Sequence, residues 1–148
     1  DLALQNSTYY KNNEFVVIFI NKLSKTYDRL QVTFKPNDNT YKIHSIDGVL
    51  DFDRNIEKCL EQKKTIIKDL EIMFEDFERV DEDSPFEPDK SGKSKSFGSW
   101  FYLKNKGYIS INCTEMSDTI RELNGWTDEL SISVTNKELE NFLRGDPY

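Results

Sequence analysis

Histidine occurs once, at His44, and cysteine twice, at Cys59 and Cys113, in a chain of 148 residues. A single imidazole excludes every zinc site that needs two, and thiols so far apart in sequence argue against a Cys2His site. Long apolar runs are missing as well. The longest is the six residues from Phe15 to Ile20, against the roughly 20 that a helix needs to cross a bilayer. Positive charge is in deficit: 20 Lys and Arg stand against 27 Asp and Glu, a net charge of −7. Nucleic-acid affinity comes mostly from Lys and Arg displacing counterions, so no nucleic-acid partner is expected. There is no repeat and no low-complexity tract.

What is present reads as one domain spanning 1–148, with a polar lead-in over 1–11. Residues 13–28 carry two patterns. Phe15-Val16-Val17-Ile18-Phe19-Ile20 has strand composition, yet Phe15, Phe19, Leu23, Tyr27 and Leu30 follow helical spacing; a helix is the expectation. Alternation then predicts a hairpin, Leu30 to Phe34 and Tyr41 to Ile43, around the turn-forming Pro36-Asn37-Asp38-Asn39. A long central helix is expected from Asp53, as its cap, to about Phe74, with Ile56, Cys59, Leu60, Ile67 and Leu70 on its apolar side. Lys63 falls in the middle of that side and Ile72 opposite it. Pro85, Pro88 and Gly92 predict an acidic loop over 81–95. Strands follow at Phe97–Leu103, at Tyr108–Cys113 after the Asn105-Lys106-Gly107 turn, and at Leu130–Val134. A C-terminal helix from Asn136 to Leu143 is stopped by Gly145 and Pro147. The sum is an α+β fold: an antiparallel sheet of about five strands, with a long central helix, a C-terminal helix and an N-terminal helix covering one face.

Cys59 on the apolar side of its helix and Cys113 on the inward side of its strand point at one core. This predicts a disulfide between them, which suits an oxidising compartment and places the chain outside the cytoplasm, periplasmic or secreted. The start at Asp1 belongs either to a processed mature chain or to a trimmed one.

Candidates for chemistry fail mostly on spacing. Gly92-Lys93-Ser94 matches the end of a phosphate-binding P-loop, but Glu87 stands where its first glycine is required. Asp81, Asp83, Glu87 and Asp89 are weak metal candidates; counted as an EF-hand from Asp81, the sixth position is Phe86 and the twelfth Gly92. His44 alternates outward on its strand, and both cysteines face apolar surfaces where a thiol is inert, so a Cys–His nucleophilic pair is not expected. Asp51 with Asp53, and Asp128 with Glu129, are the carboxylate pairs nearest to hydrolase chemistry; capping and solvation are their plainer roles. No cofactor is expected. Asn6 and Asn112 head glycosylation sequons.

Rings are more numerous than a core of this size needs. On the strand 97–103 both faces carry them, so Trp100, Tyr102, Tyr108 and Trp126 are candidate partner-binding residues. The expectation is a disulfide-stabilised, extracytoplasmic, non-enzymatic module that binds a protein partner, of inhibitor or immunity type. The alternatives are a small acidic hydrolase or metal-dependent enzyme, or a protein that binds a small ligand.

Overall fold

The computed structural model describes residues 7–21, 24–104 and 106–145. The lead-in with its Asn6 sequon as far as residue 6, and also Leu23, Asn105 and Pro147, lie outside the described residues. The elements are β1 (Ser7–Tyr9), β2 (Val16–Asn21), β3 (Arg29–Phe34), β4 (Ile43–Asp51), α1 (Ile56–Met73), β5 (Phe77–Pro85), β6 (Lys95–Leu103), β7 (Gly107–Glu115), α2 (Asp118–Asn124), β8 (Glu129–Asn136) and α3 (Lys137–Leu143). All eight strands form one sheet in the order β1-β2-β3-β4-β8-β7-β6-β5, and every neighbouring pair runs antiparallel. Two four-stranded meanders are thus joined side by side at the β4–β8 seam.

This corrects the expected architecture in three respects. The fold is an eight-stranded sheet with three helices, not about five strands organised by a long central helix. Residues 16–21 are strand, not helix: a run of β-branched and aromatic residues is stiff at χ1 and suits a pleated surface paired on both sides. Residues 77–85 are an edge strand, not the start of an acidic loop, because edge strands tolerate charge, and Pro85 sits at the strand's last position. Only 86–94 remain as loop.

The helices also divide between the two faces, rather than sharing one. α1 carries the chain from the seam to the far edge, passing under β8 and β7. Its cap is Asn55, whose side chain accepts from Lys58 N–H, not Asp53. Here Cys59 and Ile67 meet Phe101, Ile109, Ile111, Cys113 and Leu130 in the main core, and Cys59 is bonded to Cys113 with Cα atoms 6.0 Å apart. Lys63, buried in the same face, donates to the carbonyl of Phe97 at 2.7 Å. Because α1 stays with the second meander, no helix among the described residues covers the first on that side. Ile18, Val32, Ile46 and Val134 stand in one lateral row across β2, β3, β4 and β8, and Ile46 is 47% and Val134 55% exposed.

α2 was not legible as a helix, though its punctuation is in the sequence: Ser117 caps it and Gly125, at φ 68°, ends it. No helix among the described residues is long and apolar enough to cross a membrane.

Candidate functional site

On the face away from α1, the alternation of the strands brings small polar side chains into lateral rows. One row reads Gln31, Asp47, Ser133, Ser110 and Trp100 across β3, β4, β8, β7 and β6. The next reads Thr33, Ser45, Thr135, Tyr108 and Tyr102. A third carries Ser131 and Asn112 beside Gly98. α3 crosses one end and contributes Leu139 and Leu143, and the result is a groove of about 290 Å³. Thr33, Ser45, Ser110 and Thr135 are buried beneath it. A sheet face turned to water normally bears longer charged side chains; hydroxyls this short, walled by rings and leucines, form a shallow concave site.

Asp47 is the one charged side chain in that lining among the described residues. Burial pushes its carboxyl above the ordinary aspartate value, against hydrogen bonds from Ser133 and Ser45 that pull it down; the Ser45 hydroxyl donates at 2.7 Å. Burial likewise raises the Tyr108 phenol, opposed by its bond with Thr135. The indole of Trp100 lies over Gly98, and Asn112 Oδ1 lies beside the same glycine at 2.7 Å from where a Cβ would be. That oxygen is buried and has no hydrogen-bond partner among the described residues, which is costly unless something else supplies a donor.

The structure gathers some of the sequence candidates and scatters others. Trp100 and Tyr108 line the groove, and Tyr102 stands edge-on to Tyr108 at 5.9 Å, with the Arg144 guanidinium over its ring. Trp126 is elsewhere, against Phe86. Asn112 is half-buried in the groove and does not point outward as its sequon reading needs. Asp81 and Asp83 sit on β5, where Asp81 accepts from Ser99 and pairs with Arg79. Asp89 accepts from Ser94 and Ser117 hydroxyls and from the Ser91 and Ser94 amides. Those bonds, Ser94 foremost, hold its carboxyl well below the usual range, and they tie the 86–94 loop to the start of α2. No group of three potential metal ligands forms among the described residues.

Asp51, Asp128 and Glu129 are engaged structurally. Arg29 bridges Asp51 at 2.9 Å and Glu129 at 2.6 Å. Asp128 is buried, paired with Arg121, and accepts from Met116 N–H. His44 is buried, not exposed: β4 is bulged against β3 next to it, and its ring packs edge-on to Phe15 at 5.0 Å beside Asn136. A second hollow, about 450 Å³, lies between α1 and β5–β6 and is lined in part by Lys63, Arg79 and Asp81; these three already have partners.

No protein-family model, no curated protein and no solved structure matches this chain.

Proposed function

We propose that the protein is an extracytoplasmic, non-catalytic binding protein that takes a small polar ligand in the hydroxyl-lined groove of its second sheet face. The observation that carries the reading is Asn112 Oδ1, a buried acceptor on a residue of the groove lining, left without a donor among the described residues. Native structures pair such atoms, so a guest that donates to it is favoured. The bonded Cys59 and Cys113 support the compartment, since an oxidising environment preserves that bond. Among the described residues Asp47 is the one carboxylate in the groove lining and His44 is not part of it, which supports binding rather than hydrolysis.

A screen of small polar metabolites by thermal shift tests this. Ligands of the groove raise the melting temperature of the wild type and fail to raise that of Ser131→Leu, which fills the floor with a larger side chain. A screen in which every shift is the same for both proteins overturns the reading.

A second reading, a protein partner, has its own observation: the apolar row Ile18, Val32, Ile46 and Val134, whose last two members are exposed. An apolar sheet face is normally buried against another layer. A photo-crosslinker at Val134 then captures one species, and Ile46→Ser abolishes the capture, while the same probe at Lys64 captures none.

A further inference from the structure

The groove also restricts what kind of molecule fits, and this inference rests on the small-ligand reading above. Six serine and threonine hydroxyls line it, from Thr33, Ser45, Ser110, Ser131, Ser133 and Thr135. A hydroxyl both donates and accepts, so a floor of them is best matched by a guest whose own groups do both. Gln31 and Asn112 add amides, and Asn112 Oδ1 specifically lacks a donor.

Charge narrows the class. An anionic guest would meet the Asp47 carboxylate and no Lys or Arg among the described residues of the lining. An ammonium guest would pair with Asp47, yet it would strip water from the hydroxyl floor without replacing those hydrogen bonds. An apolar guest would do so everywhere. Shape narrows it further: about 290 Å³ lies at the low end of small-ligand sites, roughly 300–1,000 Å³, which admits one ring and excludes a chain of them. The Trp100 indole, laid over Gly98 at one side of the floor, presents a ring to the groove. Aromatic faces attract the polarised C–H groups of a saturated ring carrying oxygens.

We infer that the ligand is a neutral, polyhydroxylated ring of monosaccharide size, with its C–H face on Trp100 and its hydroxyls on the Ser, Thr and Asn112 side chains.

Trp126→Phe leaves Trp100 as the sole tryptophan, so its emission reports the groove directly. Titrations use a panel of hexoses, pentoses and inositols, with inorganic phosphate and ethanolamine as the charged comparisons. At least one neutral polyol is expected to shift Trp100 emission saturably, and the charged probes to leave it unchanged. Asn112→Ala removes the Oδ1 acceptor and is expected to weaken that polyol about five- to tenfold. Asp47→Asn keeps an acceptor and is expected to retain polyol binding. Saturation by ethanolamine or phosphate alone, with loss of the former in Asp47→Asn, overturns the polyol assignment and leaves the groove reading standing. Saturation by none of the probes also overturns the assignment, and the metabolite screen against Ser131→Leu then decides the groove itself. Polyol binding that Asn112→Ala leaves unaltered removes Asn112 from the contact set and overturns the seating described.

Discussion

The indole of Trp100 occupies the space that a side chain at Gly98, two residues earlier on the same face of β6, would need. The glycine is therefore required by its neighbour, and the pair sets one wall of the groove. Gly98→Val is expected to cost about 1–3 kcal/mol, the usual range for overpacking, and to move Trp100 emission to longer wavelength in the Trp126→Phe background. Urea unfolding and an emission spectrum check both; an unchanged midpoint and spectrum would place the indole elsewhere.

Arg121 and Asp128 form the most buried ion pair described, and Arg121 also donates to the carbonyls of Met116 and Asp53. Removing one member strands the other. Arg121→Ala is expected to destabilise by about 3–5 kcal/mol, as breaking buried pairs does. By contrast Arg54→Ala, which breaks the exposed pair with Asp118, is expected to change stability by less than about 1 kcal/mol. Equal effects in thermal denaturation would contradict the difference in burial.

Cys59 and Cys113 are separated by 54 residues, and on the chain-entropy account a bond closing a loop of that length contributes about 4 kcal/mol. Reduction, or paired Cys59→Ala and Cys113→Ala substitution, is expected to lower the urea midpoint accordingly while leaving the fold intact, because the main core also holds α1 through Ile67. Circular dichroism with and without reductant measures both parts.

Asp47 gives a pH dependence of definite sign. Its folded carboxyl titrates above the ordinary value of 3.8, so the native state binds more protons than the unfolded chain in the window just above that value. Wild-type stability consequently falls as pH rises through the window. Asp47→Asn lacks this loss. It is expected to be more stable than wild type at pH 7 and equal to it near pH 3, in urea titrations at the two pH values.

Much of the second meander was legible because its strands alternate cleanly: Ile109, Ile111 and Cys113 against Ser110 and Asn112, and Leu130 and Ile132 against Ser131 and Ser133. The N-terminal strand β2 was not, since Phe15, Phe19, Tyr27 and Leu30 repeat at a helical interval by chance of composition, and the pairing that decides between helix and strand is non-local. β5 was obscured by its charge, which suits the edge it occupies and resembles a loop in isolation. The groove escaped because polar positions on three separate strands read singly as solvent faces. Only the register between β4, β8 and β7 shows that Asp47, Ser133 and Ser110 are neighbours. A signal was nonetheless present: those positions hold Ser, Thr and Asn almost without Lys or Glu, unusual for strands that face open water.

The seam between the meanders has a kinetic consequence. Hairpins within each half can zip locally, but Asp51 must wait for Glu129 and Ser45 for Thr135, partners that emerge only after α1, β5, β6, β7 and α2 have been made. Contacts so distant along the chain carry a heavy loop-closure entropy and slow the search. Until β8 arrives, β4 is an open border with Ile46 unsheltered, so the interval before the two halves zip together is when this chain is most vulnerable to sticking to another copy of itself.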